Sequence, residues 1–237
     1  QTYVFAVAAK LGWPGPQARL VAHGLSFLQG RLRQPDGLYA SAVLPDGTVV
    51  NPVFDLYEQA FGLFALASVQ AHAADARPWP LADAALRTLD ALRLGYKHPE
   101  LGFEEGLPPR EPLRANPHMH LLEAALACAD LGGTHAATWN ALADELATLA
   151  LTRFVCPDTG AVAELFDRQW RPLTPRLIEP GHQFEWAWLL MRWGRQRHRP
   201  DAIAAARRMV HLAESHGVCA QRGVAINALN ERLEPTD

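Results

Sequence analysis

Cysteine is scarce in this chain: three in 237 residues, at Cys128, Cys156 and Cys219. They are odd in number, widely spaced and form no CxxC. That excludes a disulfide framework and a zinc pattern, and it points to a reducing, cytoplasmic setting. No apolar run reaches about 18 residues, so no membrane-spanning helix is expected. The opening QTYVFAVAAKLGW lacks the basic start and small-residue cleavage site of a signal peptide. It also lacks an initiator Met, so the chain is expected to begin inside a longer gene product. An excess of one charge is missing as well. The 22 Lys and Arg stand against 25 Asp and Glu, a net charge of −3, which gives no pull toward nucleic acid or an anionic membrane.

What is present is a soluble composition, 49% hydrophobic and 20% charged, long enough to bury a core. We read residues 1–237 as a single domain. Apolar periodicity predicts helices over 2–11, 17–28, 56–72, 81–94, 117–131, 181–196 and 201–215. One more runs from a cap at Thr134 to about Phe154. Asp55 caps the helix over 56–72, which is apolar nearly all round and is expected to be buried. Pro78 and Pro80 precede the next helix, and Gly132-Gly133 stop the one over 117–131. LYASAVL, Pro45-Asp46-Gly47 and Thr48–Val50 form a hairpin signal, and GAVAELFDRQW (160–170) a second. GVAINAL (223–229) is a candidate strand. Helical pairs followed by a hairpin-bearing loop recur at roughly 60 residues, marked by Gly37, Gly102, Gly160 and Gly217. The fold class expected is all-α: part of an (α/α) barrel with short β-hairpins in its rim loops and a site in its mouth.

Two stretches carry chemistry. In LIEPGHQFEWAWLLMRW (177–193), a Pro-Gly break leads into a helix with His182 in its first turn and Glu185 one turn on. In NPHMHLLEAAL (116–126), His120 and Glu123 repeat the His-x-x-Glu spacing, 62 residues earlier. Histidine titrates near neutrality and can take and return a proton. A carboxylate on its other nitrogen fixes the tautomer, a role open to Glu185. Two imidazoles facing one cavity suit proton abstraction beside a carbonyl. His118 is expected to face solvent or a loop, and the remaining histidines to be structural or exposed. Trp186, Trp188 and Trp193 suit a core, with Trp186 able to face the cavity. Tyr57 stands where its hydroxyl could reach the mouth. His120, Glu123, His182 and Glu185 also match metal-ligand types. The helical di-metal signature runs in the reverse order, Glu-x-x-His, and no HExxH occurs, so no metal is expected.

DLYEQAFGLFALA (55–67), NPHMHLLEAAL (116–126), GAVAELFDRQW (160–170) and EPGHQFEWAWLLMRW (179–193) resemble the N-acylglucosamine 2-epimerase superfamily, over nearly the whole chain. The resemblance implies an (α/α)6 toroid and cofactor-free, metal-free chemistry on a ring-opened sugar. A histidine removes the C2 proton to give a cis-enediol or enediolate. Return of the proton to C1 gives the ketose, and to the other face of C2 the epimer. It implies His182 as acid/base, Glu185 as its supporting carboxylate, and Asn116 and His120 on the sugar oxygens near C1 and C2. It also implies a substrate contact from Tyr57 and a structural Glu123. Trp186, able to face the cavity, is expected as a further substrate contact. The family's second acid/base histidine and its first-helix arginine have no counterpart here, so the chain resembles a member lacking both ends. The partner expected is a monosaccharide or disaccharide, with a homodimer allowed. With no clustered Lys/Arg pocket or Gly-rich helix start to hold a phosphate, an unphosphorylated sugar is expected. The overall resemblance implies a mannose-type aldose–ketose isomerase. N-acylglucosamine 2-epimerisation is the nearest alternative. A glycosidase or lyase using Asp55, Glu104, Glu105, Glu164 or Asp167 is another, and a non-catalytic sugar- or protein-binding barrel a third.

Overall fold

The computed structural model describes residues 1–73 and 80–236; the expected proline signal at Pro78 lies outside them. Among the described residues the chain is all-α with short hairpins, as expected. Its eight α-helices are α1 (Thr2–Lys10), α2 (Gln17–Phe27), α3 (Leu56–His72), α4 (Leu81–Gly95), α5 (Ala115–Asp130), α6 (Ala136–Leu149), α7 (Pro180–Gln196) and α8 (Pro200–His216). Among the described residues six two- or three-residue strands pair as three antiparallel ribbons, and no helix is long and apolar enough to cross a membrane.

The chain divides into two compact units. The first holds Gln1–Pro109 and Glu123–Leu142; the second holds Arg110–Leu122 and Ala143–Asp237.

In the first unit α1 packs on α2 and α3, and α3 packs on α4. The Asp55 cap is there: its carboxylate accepts the Tyr57 N–H at 3.0 Å. Helix α3 buries Leu56, Ala60, Leu63, Leu66 and Val69. Each such leucine contributes roughly 1.5–3 kcal/mol on burial. Strands β1 (Ala42–Val43) and β2 (Val49–Asn51) pair around the expected turn. Asp46 accepts the Thr48 N–H at 2.8 Å, and Gly47 takes φ +93°, a conformation that favours glycine.

In the second unit α7 packs on α8. A Cβ at Gly194 would lie 3.0 Å from Ala202 Cβ, so glycine sets that close approach. Behind α7 lies an aromatic core of Phe154, Phe166, Trp170 and Trp186. The second expected hairpin is placed differently. Strand β4 (Leu165–Phe166) pairs with β3 (Leu113–Arg114), just ahead of α5. From Leu165 the chain also folds back on itself: Phe166 bridges antiparallel to Pro172, and the Leu173 N–H donates to Leu165 O at 2.9 Å, so the expected hairpin runs past Trp170, while Val162 bridges back to Val155. Strands β5 (Val218–Cys219) and β6 (Val224–Ala225) pair locally, so GVAINAL contributes two strand residues. Helix α6 also differs. It begins two residues after Thr134, and its last turn opens into a π-turn over Ala150–Phe154.

Candidate active site

Helix α7 starts where Pro180, which has no N–H to lose, takes the first helical position after extended Glu179. Fully buried Gln183 fixes this start. Its Oε1 accepts the Val162 N–H at 2.8 Å, and its Nε2 donates to Val162 O at 3.1 Å and to Glu179 O at 3.2 Å. The segment carrying Val162 is thereby held against the first turn of α7, and His182 and Glu164 are brought together.

His182 Nδ1 lies 3.1 Å from Glu164 Oε1 and 3.5 Å from Glu179 Oε2. The Glu164 side chain is 5% exposed and that of His182 17%. The closer contact is an ion pair without an aligned hydrogen bond, since neither atom has a partner within hydrogen-bond geometry. Burial is the largest influence on His182 and disfavours its charged form. The carboxylates of Glu164, Glu179 and Glu185 together outweigh it and hold the imidazole above its ordinary value. Burial pushes the Glu164 carboxyl up, against the pull of His182.

The backbone of Glu164 reaches further. Its N–H donates to Leu177 O at 3.0 Å, three residues before α7, and its carbonyl accepts the N–H of Ala115, the first residue of α5, at 2.9 Å. Helix α5 then presents Asn116 and His120. The Asn116 Oδ1 is buried and accepts no hydrogen bond from the protein. His120 Nε2 stands 4.0 Å from Glu185 Oε2, whose side chain is 52% exposed.

The structure therefore brings His182, Glu185, His120 and Asn116 into one unit, but rearranges their partners. The nearest carboxylate to His182 is Glu164, 18 residues back in sequence, and Glu185 turns its carboxylate toward His120. Trp186 is 0% exposed, its ring edge-on to Phe154, so in this arrangement it has no accessible face for a sugar. Tyr57 belongs to the first unit, half-buried, with its ring 4.7 Å from that of Phe61. His118, expected to face solvent or a loop, is fully buried instead. Its Nδ1 lies 2.8 Å from Arg114 O, and its ring stands edge-on to Trp170. A ring that finds both a carbonyl and aromatic walls is a satisfied core residue.

Glu164 entered the sequence reading only as a glycosidase candidate, and Glu179 not at all. The signal for Glu164 was present. It is a lone carboxylate in the apolar run Ala161–Phe166, where a charge stays only if something buried answers it. One donor atom each from Glu164, Glu179 and His182 lie within 4.8 Å of one another, close enough for a metal ion as well. The cavity of about 340 Å³ in the first unit, lined by Leu66, Cys128, His135 and Trp139, contains none of these residues.

Two curated proteins and one solved structure are similar to this chain. The chain is 41% identical over its whole length to a mannose-6-phosphate isomerase of Rhizobium meliloti (strain 1021), of which it covers 62%. It is 33% identical, over 80% of its length, to a D-mannose isomerase of Thermobifida fusca, of which it covers 50%. A crystal structure of a D-mannose isomerase superposes over 100% of this chain and 62% of that one, with a TM-score of 0.82 at 20% identity, which makes the fold common to both. The chain thus spans less than two thirds of the length of these relatives. The family model for N-acylglucosamine 2-epimerase (GlcNAc 2-epimerase) matches residues 1–236, and with identity of this extent the chain belongs to that family.

Proposed function

We propose that this protein is a sugar isomerase or 2-epimerase that moves the C2 proton of an open-chain, unphosphorylated aldose, with D-mannose as the leading substrate. The observation that carries the reading is His182, a partly accessible imidazole at a helix start, held among three carboxylates that favour its protonated form. A base of that kind takes a proton from carbon beside a carbonyl and returns it from the same atom.

In the proposed reaction neutral His182 removes the C2 proton. The C2–H electron pair forms the C1–C2 double bond, and the C1 carbonyl oxygen takes up the charge, giving an enediolate. The imidazolium then delivers its proton to C1, while the C2 hydroxyl passes its proton to the C1 oxygen and becomes the carbonyl, and the ketose results. Protonation of C2 on its opposite face by a second acid, a role open to the other imidazole, His120, yields the epimer, and His182 gives up its proton to solvent. Asn116, whose buried Oδ1 has no protein donor, offers an acceptor for a sugar hydroxyl. His120, with Glu185 near its Nε2, can donate to the oxygen where charge develops.

The two D-mannose isomerase relatives and the acidic surroundings of His182 favour a neutral sugar. Glu164, Glu179 and Glu185 would repel a phosphate dianion placed close to them. A phosphorylated mannose is the second reading, favoured by the name of the 41% identical relative. The test is to incubate the purified protein in deuterated water with D-mannose, mannose 6-phosphate and N-acetylmannosamine separately, and follow the C2 proton and the products by NMR. Exchange with D-mannose accompanied by fructose supports isomerisation. Exchange with glucose as product assigns epimerisation. Turnover of mannose 6-phosphate alone would overturn the choice of a neutral substrate, and absence of exchange with every sugar would overturn the reading itself.

A further inference from the structure

We propose that Glu164 is the positioning residue of this site: it ties the helix starts of α5 and α7 together through its backbone and holds the Nδ1 side of His182 through its side chain, leaving Nε2 to meet the sugar. The inference rests on the proposed role of His182 as base and adds to it a residue that sets the base in place.

Three contacts from one residue carry it. The Glu164 carbonyl accepts the N–H of Ala115, so the turn that presents Asn116 and His120 hangs from it. The Glu164 N–H donates to Leu177 O, on the approach to α7. The Glu164 carboxylate, nearly sealed from solvent, sits 3.1 Å from His182 Nδ1. The first four N–H groups of a helix have no partner within the helix, so a carbonyl placed to receive one of them fixes where the helix begins. One residue therefore sets two helix origins and one imidazole, and a displacement of Glu164 would move all three together.

The carboxylate also selects the tautomer. A carboxylate beside Nδ1 keeps the proton of the neutral ring on that nitrogen, and the lone pair is then on Nε2. Glu179 faces the same Nδ1 from the end of the helix and Glu185 lies one turn on, but both are far more exposed than Glu164, and solvent weakens their hold. Burial gives Glu164 the larger share. It also explains an otherwise unfavourable feature, a carboxylate at 4% exposure inside an apolar run.

The experiment uses Glu164→Gln, which keeps the size and both backbone bonds and removes the charge, with Glu164→Asp as the charge-keeping companion. ¹⁵N-edited NMR of the imidazoles reads the tautomer and titration midpoint of His182, and the pH profile of C2 exchange reads its basicity in turnover. In the wild type the neutral ring is expected to carry its proton on Nδ1. In Glu164→Gln the midpoint should fall by about one pH unit. The acid limb of the rate profile should move down with it, and kcat should drop by at least about tenfold with little change in KM. Glu164→Asp should restore part of the midpoint and part of kcat, and it carries the comparison if the Gln variant folds poorly. An unchanged His182 midpoint and tautomer in Glu164→Gln would overturn the proposal. Absence of exchange in the wild type would sink the enediol reading instead, and the imidazole titration would still decide the role of Glu164.

Discussion

The starts of α3 and α7 are built with the same device and put to different uses. Gln59 and Gln183 each stand fourth in their helix, fully buried. Gln59 accepts the Tyr39 N–H at 2.7 Å and donates to Tyr39 O at 2.9 Å and Asp55 O at 3.1 Å. Gln183 makes the corresponding three bonds to Val162 and Glu179. In both places an amide side chain mimics a strand partner and clamps the preceding loop to a helix start. The residue just before the clamp differs: Glu58 in α3, His182 in α7. Two residues beyond the clamped backbone stands Ser41 in one case and Glu164 in the other. The repeat supplies the scaffold, and two substitutions on that scaffold supply the proposed base and the buried carboxylate beside it.

The comparison breaks first at the base. His182→Ala should lower C2 exchange by roughly 10²–10⁴-fold, the range of a positioned general base, while a thermal melt at alkaline pH, where the ring is neutral, changes little because the ring is partly exposed. Loss of folding instead of turnover would make His182 structural, like His118.

The clamps come next. Gln183→Ala and Gln59→Ala each strand a buried backbone N–H and C=O, so each should cost roughly 2–4 kcal/mol in denaturant unfolding. Their kinetics should part. Gln183→Ala should lower kcat by displacing Glu164 from His182, whereas Gln59→Ala should keep kcat under saturating sugar. Equal loss of kcat in both would mean that the two helix starts share the chemistry as well as the clamp.

The third expectation concerns pH, with the sign set by the raised value of His182. The folded protein binds that proton more tightly than the unfolded chain does. The resulting stabilisation is complete below the ordinary imidazole value, near 6.5, and is lost as pH rises through the folded value. Activity needs the neutral ring and should rise over the same interval. Turnover and melting temperature should therefore move in opposite directions across neutrality, and His182→Ala should remove that part of the melting profile. A wild-type exchange profile with its acid limb well below pH 6.5 would contradict the raised value.

The smallest effect is expected at Trp186. Trp186→Phe removes an indole N–H that has no partner and keeps an aromatic ring in the core, so stability should change by less than about 1.5 kcal/mol and KM little. A large rise in KM would restore Trp186 to the sugar contacts expected of a residue facing the cavity.

What the sequence made legible follows a physical divide. Helix α3 was read to the residue, because an N-cap aspartate and a long apolar run are local signals. The stop at Gly132 and Gly133 was equally local, since both take positive φ after α5. The partner of β4 was not legible, because Leu165–Phe166 pairs with Leu113–Arg114 from a distant stretch of chain. For the same reason His182 was expected to lean on Glu185, one turn away, and meets Glu164 more closely. Helical spacing places two side chains on one face, but it does not choose which carboxylate turns toward the ring. The His-x-x-Glu motif pointed to the two helix starts that carry the candidate site. Which carboxylate meets which imidazole was decided by contacts between elements far apart in sequence.

The most direct test is the C2 proton of D-mannose in deuterated water, followed side by side with wild type, His182→Ala and Gln59→Ala at a temperature where all three are folded. We predict exchange with wild type and with Gln59→Ala, and none above background with His182→Ala. Exchange that persists in His182→Ala would contradict the assignment of the base and, with it, the account of why one of two like-built helix starts carries the chemistry.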